Sequence, residues 1–321
     1  MSEYKKIHGI HIQALASDPS NLGAGQVWYN TTSNQLKITA VSTSGAWATG
    51  GNLGTGRQNL AGAGTQTAGL AFGGRVGAPS PSNATEHYDG SAWTAGGNMA
   101  TARYGLAGAG TQTAGLAFGG SAGPTKTNVT EHYDGSAWTS GGNMGTTRMS
   151  LGDAGTQTAG LAFGGSNPSG YTAVTEHYDG SAWTAGGNMG TARYYLAGAG
   201  TQTAGLAFGG AQGMDTPNAT EHYDGSAWTA GGNMGTARMS LAGAGTQTAG
   251  LAFGGNTPGA TEHYDGSAWT AGGNLATARD VLGGAGTQAA GLAFGGYIAS
   301  QTNATEEYTG PGIISKTVTA S

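Results

Sequence analysis

One stretch of the sequence, TEHYDGSAWTAGGNM (Thr85–Met99), combines Glu, His and Asp, the residue types of a metal site or an acid–base pair. Carboxylates and imidazoles this close together could bind a divalent cation or exchange protons with a substrate. The stretch recurs with few changes four more times along the chain. Adjacent residues of a strand point to opposite faces, and an enzyme needs one asymmetric site rather than five copies. We therefore predict a structural role, with His packed between repeats or bonded to the backbone and Glu paired with a repeated Arg.

One arginine also recurs in every repeat, and six arginines around a channel could bind an anion. They are Arg57, Arg103, Arg148, Arg193, Arg238 and Arg279. We expect them to pack the repeats together, because each has the same position in its repeat. The stretch DGSAW is similar to the Asp-box of sialidases, but those enzymes need three Arg in one centre, and a galactose-oxidase-like cofactor needs a Cys, which this chain lacks. No catalytic residue, metal or cofactor is predicted, and we expect a protein that is not an enzyme.

The composition narrows the class of protein. The chain has 321 residues, a formal net charge of −5 and only 12 Lys and Arg, which argues against nucleic acid as a partner. It has no run of about 18 apolar residues, so no membrane insertion is predicted, and its start lacks the apolar core of a signal peptide. Its 7 Trp and 13 Tyr are regularly spaced, which indicates a folded protein despite 65 Gly.

Six repeats organise most of the chain. The pentapeptide LAFGG marks them, and its last Gly recurs every 41 to 46 residues, at Gly74, Gly120, Gly165, Gly210, Gly255 and Gly296. Such a period is typical of a four-stranded propeller blade. In one repeat, RYGLAGAGT predicts the first strand and QTAGLAFGG the second, followed by NVTEHYDG and SAWTSGG. Small side chains suit the crowded centre of a propeller, and Tyr and Trp suit its periphery.

The two ends of the repeat array complement each other. The array starts within a repeat, at SGAWATGG (Ser44–Gly51), and stops at TEEYTG without a Trp strand. We predict that Trp47 supplies the missing outer strand beside Tyr308. Residues 41–310 would then form an all-β, six-bladed propeller of four-stranded blades, closed by the N-terminal strand.

The order of residues within each repeat resembles the kelch repeat, over the range from Trp47 to Tyr308. In one repeat the matching residues are Gly119-Gly120, Tyr133-Asp134, Trp138 and Met144-x-x-x-Arg148. The turn between Tyr and Trp is shorter than is usual for kelch. The resemblance implies a kelch-like β-propeller, a fold that commonly binds its partners through one face.

The sequence GQVWYNTTSNQLKIT (Gly25–Thr39) predicts a short β-hairpin, and it resembles the hairpin near the N-termini of many bacteriophage tail-fibre and other virion proteins. Together with the Gly-rich kelch-like repeats, it resembles fibre proteins of marine phages, particularly those of cyanobacteria. The resemblance implies a virion protein, made in the host cytoplasm. Residues 1–40 would attach it to other virion proteins and could make it a trimer. Residues 311–321 are predicted to form a β-strand tail that could pair with LKITAVS.

The repeats differ from one another at two spots, which are the loop between the second and third strands and the two residues after the repeated Arg. Up-and-down strands bring both spots to one face of a blade, and the constant turns GTQT and DGSA to the opposite face. The candidate binding residues on the variable face are Arg75, Tyr104, Lys126, Tyr171, Tyr194, Tyr195, Asp215, Asp280 and Tyr297. We expect this face to bind a host-surface glycan or protein. The alternatives are loops that vary without binding anything, a structural tail or capsid decoration subunit, and a glycan hydrolase.

Overall fold

A computed structural model of the chain describes residues 12–20, 23, 25–42, 44–77, 80–257 and 259–318, with the backbone alone for 40–42 and 313–317. These residues form strands and turns and no helix, so the predicted all-β class is confirmed. Accordingly, no helix among them could cross a membrane. The chain divides into two compact units, Ala46–Gly310 and the two ends Met1–Gly45 with Pro311–Ser321.

Each repeat forms one four-stranded antiparallel sheet, numbered here sheet 1 to sheet 6 along the chain. The N-terminal strands are β1 (Gln13–Leu15), β2 (Val27–Asn30), β3 (Gln35–Ser42) and β4 (Ala46–Thr49). Sheet 1 consists of β5 (Ala61–Thr65), β6 (Ala68–Phe72), β7 (Thr85–Tyr88) and β8 (Trp93–Ala95). Sheet 2 consists of β9 (Ala107–Thr111), β10 (Ala114–Phe118), β11 (Thr130–Tyr133) and β12 (Trp138–Ser140). In sheet 3 a small hairpin interrupts the order: β13 (Gly152–Thr156), β14 (Ala159–Phe163), the hairpin strands β15 (Ser166–Asn167) and β16 (Gly170–Tyr171), β17 (Thr175–Tyr178) and β18 (Trp183–Ala185).

The later sheets follow the same plan. Sheet 4 consists of β19 (Ala197–Thr201), β20 (Ala204–Phe208), β21 (Thr220–Tyr223) and β22 (Trp228–Ala230). Sheet 5 consists of β23 (Ala242–Thr246), β24 (Ala249–Phe253), β25 (Thr261–Tyr264) and β26 (Trp269–Ala271). Sheet 6 has β27 (Gly283–Gly286), β28 (Ala290–Phe294) and β29 (Thr305–Thr309), with β4 as its fourth strand, and the last strand of the chain is β30 (Gly312–Thr317). Repeated four-stranded antiparallel sheets are consistent with a propeller-like fold.

The first strands of neighbouring sheets lie side by side, and β27 of sheet 6 also neighbours β5 of sheet 1. Their approach is too close for most side chains. A Cβ added to Gly62 would lie 2.4 Å from the carbonyl oxygen of Gly284, and one added to Gly198 would lie 2.1 Å from that of Asp153. Glycine at these two positions of the first strands is therefore a steric requirement.

The core lies between consecutive sheets, because both faces of each sheet are covered. Between sheets 1 and 2, Leu70 and Phe72 are fully buried against Tyr133 and Trp138. The rings of Phe72 and Trp138 have their centroids 4.9 Å apart. Burying a side chain such as Phe72 contributes about 1.5–3 kcal/mol to stability.

A constant glutamine in the turn between the first and second strands joins each sheet to the one before it. Gln112 donates from Nε2 to the carbonyl oxygens of Gly69 and Tyr88, at 3.0 and 2.7 Å. Gln66 of sheet 1 makes the same pair of bonds to Gly291 and Tyr308 of sheet 6. The equivalent glutamines of the other sheets are Gln157, Gln202, Gln247 and Gln288.

Six backbone hydrogen bonds link the repeats in a cycle just before their first strands. The second residue after each repeated Arg donates its N–H to the carbonyl of its counterpart in the preceding repeat, and Asn59 of the first repeat donates to Val281 of the last, over 2.7 to 2.9 Å. All six residues have φ between 46° and 61°. They are Asn59, Gly105, Ser150, Tyr195, Ser240 and Val281, and we call them the hydrogen-bond ring.

Sheet 6 combines strands from distant parts of the chain. Strand β4 pairs antiparallel with β29, with Trp47 opposite Tyr308 as predicted. The Trp47 ring lies 4.9 Å from that of Tyr308 and 5.0 Å from that of Phe253, and its Nε1 donates to Thr261 Oγ1 at 2.9 Å. Trp47 thus makes the contacts that the Trp of every other repeat makes.

The end unit is a separate sheet with the order β1-β2-β3-β30. Strands β2 and β3 form the predicted hairpin, β1 joins it in parallel, and β30 pairs with β3 so that Ile313 lies opposite Val41. The predicted pairing of the C-terminal segment with LKITAVS is therefore confirmed. Trp28 is fully buried, and its Nε1 donates to Asp18 at 3.1 Å. Residues 1–11 of the predicted tether lie outside the described residues.

Candidate binding site

The repeated Glu and Arg form ion pairs within each repeat, as the sequence predicts. In sheet 2, Arg103 is wholly buried and donates from Nη2 to Glu131 at 3.0 Å and from Nη1 to two backbone carbonyls. Burial lowers the pKa of Arg103 to about 10, although Glu131 acts in the opposite direction. The other five pairs have N–O distances of 2.7 to 3.3 Å. These arginines bind carboxylates and backbone, so they hold the fold together and are not an anion site.

The repeated His packs between repeats, as predicted, but its partner is a tyrosine hydroxyl. His87 Nε2 lies 2.7 Å from the hydroxyl oxygen of Tyr133, and the other four histidines make the same contact with the next repeat. Burial raises the pKa of Tyr133, so a protonated hydroxyl faces His87. In sheet 6 Glu307 stands in place of His and accepts from Tyr88.

The repeated Asp closes a turn. Asp89 Oδ1 accepts hydrogen bonds from the backbone N–H groups of Ser91 and Ala92 and from the Ser91 hydroxyl, each at 2.8 Å. Glu, His and Asp of one repeat thus face three different partners. The described residues contain no group of three or more His, Asp or Glu that could hold a metal ion.

The two variable spots of each repeat lie side by side, as expected from the up-and-down strands. The residue after the repeated Arg forms a β-bridge with the first residue of the variable loop in five repeats, as Tyr104 does with Ser121 and Asp280 with Tyr297. In the remaining repeat, Asn256 donates its backbone N–H to the carbonyl of Met239 at 3.1 Å. These bridged residues and their loops form what we call the variable surface.

The structure brings four of the nine candidate residues, Arg75, Tyr195, Asp280 and Tyr297, to one cavity of about 410 Å³, here called the main cavity. Its other lining residues are Gln58, Asn59, Ser240, Val281 and Gln301. None of these five is among the candidates predicted from the sequence. Val281 directly follows the candidate Asp280, and Gln58 and Asn59 are the variable pair of the first repeat. Four of the five, all except Val281, have polar side chains at variable positions, which was the available signal.

A second cavity of about 250 Å³ adjoins the main one and shares Asp280 and Tyr297 with it. We call it the side cavity. Its remaining lining residues are Gly255, Asn256, Ala278, Arg279 and Ile298. Ile298 is about half exposed, at 51%, so an apolar side chain lies at its edge.

Of the two charged side chains in the main cavity, Arg75 has partners and Asp280 has no side-chain partner among the described residues. With the Gln58 amide oriented so that its oxygen faces Arg75, that oxygen accepts from Nε at 2.9 Å and Nη2 at 3.1 Å. The Arg75 guanidinium also lies 5.2 Å from the centre of the Tyr104 ring. Asp280 has no side-chain hydrogen bond or ion pair to any other described residue, and burial raises its pKa. The cavity therefore offers one carboxylate as a free acceptor.

The remaining candidates lie on the variable surface but line neither cavity. Tyr171 stacks on Tyr194 at 6.2 Å, and Tyr194 lies 5.1 Å from Tyr195. Lys126 donates from Nζ to the Ser166 hydroxyl and the Asn167 carbonyl of the next repeat, at 2.7 and 2.6 Å. Asp215 is exposed, and its backbone bridges Gln212. Lys126 thus fastens two loops together, and only the tyrosines continue the aromatic surface.

The sequence was compared with known proteins. It matches no family model. No curated protein matches it either. The candidate function therefore follows from the residues of the variable surface and from the sequence resemblances described above.

Proposed function

We propose that this chain is a non-enzymatic binding module of a bacteriophage virion, whose variable surface binds a glycan or protein on the host surface. Its repeat unit would be a six-bladed, kelch-like β-propeller closed by β4. The observation that carries the proposal is the main cavity, where variable residues of several repeats place tyrosines, amides and an unpaired carboxylate together. Aromatic residues beside a few well-placed polar groups are typical of recognition sites.

Several contacts support a closed six-bladed ring. The hydrogen-bond ring runs through all six repeats and returns from Asn59 to Val281. The glutamine of each turn bonds the preceding sheet, and Gln66 reaches sheet 6. Strand β4 gives sheet 6 the same number of strands as the other sheets. Closure of this kind removes the exposed edges that an open array would leave.

The contrast between repeated and variable residues supports binding over catalysis. The repeated Glu, His, Asp and Arg are all engaged with partners inside the fold. The side chains that remain available lie at the positions where the repeats differ. A rigid framework with variable loops at one surface is a common arrangement in recognition proteins.

The virion assignment rests on the resemblance of the β2–β3 hairpin and the kelch-like repeats to phage fibre proteins. In this proposal, residues 1–40 attach the chain to other virion proteins, as one subunit of a trimer or singly. Several copies on one particle would increase the apparent affinity for a host cell through avidity.

The test uses the fluorescently labelled full chain and a panel of cyanobacterial strains, with cell binding measured by flow cytometry. We expect binding to at least one strain, and Tyr195→Asn should weaken it about tenfold or more. Asn is a suitable replacement because Asn59 occupies the equivalent position with the same φ of 53°. Met214→Ser is the matched control, because Met214 is fully exposed on the same surface and lines neither cavity.

Two results would contradict the proposal. The first is a chain that binds no strain in the panel. The second is binding that Tyr195→Asn and Met214→Ser leave equally strong, which would exclude the variable surface and favour a purely structural subunit.

A further inference from the structure

We propose that the variable surface takes an uncharged oligosaccharide of at least two sugar units, laid across sheet 6 with Asp280 and Tyr297 between its two parts. This inference rests on the proposed binding function and narrows it to one ligand class. It depends on the shape of the two cavities, the chemistry of their lining residues, whether the charged side chains there already have partners, and the rigidity of the backbone.

The shape of the site favours an elongated ligand. The main cavity, of about 410 Å³, and the side cavity, of about 250 Å³, meet at Asp280 and Tyr297. The main cavity alone is within the range of roughly 300–1,000 Å³ usual for ligand sites. A ligand that fills both must pass over these two residues. A chain of similar units, as in an oligosaccharide, presents the same groups to both cavities.

The lining chemistry fits a sugar ring, which has hydroxyl groups at its edge and apolar C–H groups on its faces. Tyr195 and Tyr297 supply aromatic surface, and Tyr297 is 38% exposed. Ser240 supplies a hydroxyl that both donates and accepts hydrogen bonds. Gln301, whose Nε2 also donates to Gln58 at 3.1 Å, supplies its amide oxygen and its second N–H. The Asp280 carboxylate, without another side-chain partner among the described residues, can accept from two neighbouring hydroxyl groups at once.

The charges argue for an uncharged ligand. Every cation that lines the two cavities is already engaged, Arg75 by Gln58 and Tyr104, and Arg279 by Glu306 at 3.3 Å. An acidic sugar would bring a second negative charge towards Asp280, which burial already makes costly to ionise. Neutral hydroxyl donors satisfy the carboxylate without this repulsion.

The backbone of the site is fixed before any ligand arrives. Tyr195 donates its N–H to Ser150 at 2.8 Å and accepts from Ser240 at 2.9 Å, as part of the hydrogen-bond ring. Asp280 and Tyr297 exchange two backbone hydrogen bonds, at 3.1 and 2.9 Å. Little conformational entropy is therefore lost on binding, which favours weakly interacting ligands such as sugars.

The experiment uses the full chain on a printed array of neutral gluco- and manno-oligosaccharides of one to six units, with uronic-acid oligomers of the same lengths. Isothermal titration calorimetry then measures the affinity for the best-bound series. We expect binding to neutral oligomers only, with affinity at least tenfold higher for the trimer than for the single sugar. Asp280→Met should lower the affinity tenfold or more, and it is compatible with the fold because Met149 and Met239 occupy the equivalent position.

The matched control is Met214→Ser, on the same surface but outside both cavities, which should bind like the unmodified chain. Near-UV circular dichroism checks that each variant is folded. Preference for the acidic oligomers, affinity independent of chain length, or equal loss in both variants would each overturn the proposal.

A further arm separates this proposal from the proposed function. Cells treated with periodate, which cleaves vicinal diols, should lose binding of the labelled chain, and cells treated with proteinase K should keep it. The reverse result, with Tyr195→Asn still weakening cell binding, would overturn the oligosaccharide proposal and leave a protein receptor. Array binding without binding to any cell would instead contradict the host-binding function alone.

Discussion

At the scale of single residues, Asp153 departs from the repeat. The equivalent residue of every other repeat is Gly, as at Gly108 and Gly198. Asp153 Oδ2 accepts the backbone N–H of Gly108 at 2.8 Å. The side chain lies between two small cavities of about 120 Å³ each, lined by Gly, Ala and Leu, with no other charged residue among those lining them. Burial there raises the pKa of Asp153 to about 7.

Asp153 should make stability depend on pH. Its pKa is raised on folding, so the folded state holds the proton more tightly, and the stabilisation is full below about pH 4 and lost as pH rises through about 7. The five repeated histidines, of which His263 is buried and the others are partly buried, act in the opposite sense, because desolvation lowers their pKa and stability is lost as pH falls below about 6.5. Below about pH 6.5 the two effects on the free energy of unfolding therefore oppose each other.

Comparing the unmodified chain with Asp153→Gly isolates the contribution of the Asp153 carboxylate to the pH dependence of the free energy of unfolding. Gly occurs at this position in the other repeats, and the histidine contributions are common to both chains and cancel. The free energy of unfolding of Asp153→Gly, relative to that of the unmodified chain, should increase from pH 5 to about pH 7 and level off above it, measured by urea denaturation. A difference that stays constant over this range would show that Asp153 titrates as in water.

The sequence predicts some of these residue-level features and not others. The pairing of Glu131 with Arg103 could be predicted, because both recur once in each repeat and opposite charges compensate each other when buried. The partner of His87 could not, since Tyr133 belongs to the next repeat and their contact depends on how two sheets stack. For the same reason Asp153 looks in the sequence like an ordinary exposed carboxylate.

At the scale of elements, the turn between the first and second strands has a function that its sequence does not reveal. GTQT reads as a tight hairpin turn, and the structure has one, with Gln112 and Thr113 between β9 and β10. Its glutamine, however, bonds the two carbonyls of the preceding sheet. The turn propensity of these residues predicts the local hairpin only. It contains no information about hydrogen-bond partners that lie 24 and 43 residues away in the sequence.

Gln112→Ala should therefore destabilise the protein by about 1–3 kcal/mol, because it leaves two partly buried carbonyls without their donor. Thr113→Ala is the control, since Ala289 already occupies that position in the last repeat. Denaturant midpoints of the two variants provide the measurement. The interpretation of Gln112 as a link between sheets would be wrong if both variants unfolded at the same midpoint.

At the scale of the whole repeat unit, the sequence predicted repeated four-stranded sheets, because a period of 41 to 46 residues can be counted directly. It also predicted that β4 pairs with β29. The repeat array begins with a Trp strand that has no repeat before it, and it ends with a repeat that lacks its Trp strand. The sequence could not predict that residues from the first, fourth, fifth and sixth repeats share one cavity. That depends on how repeats distant in the sequence pack against one another, which the pattern of a single repeat does not contain.

Trp47→Ala tests the completion of sheet 6 by β4. The substitution removes contacts with Phe253 and Tyr308 and should cost about 2–4 kcal/mol, somewhat below the cost for a fully buried Trp. Trp138→Ala, in a sheet whose four strands are consecutive in the sequence, should lower the free energy of unfolding by a similar amount. Both unfolding curves should remain single transitions, because every sheet contacts two neighbours. A Trp47→Ala variant as stable as the unmodified chain would show that β4 is dispensable.

The pairing of β4 with β29 also determines where the chain can be opened. Ala46 lies opposite Thr309, so the two ends of the repeat unit are direct neighbours. A short linker between them would leave every strand in its sheet. The chain could then be cut in an exposed Asp-Gly-Ser turn, such as the one at Gly180 and Ser181. The repeat unit is thus suited to circular permutation, and to insertion as a whole into a loop of another protein.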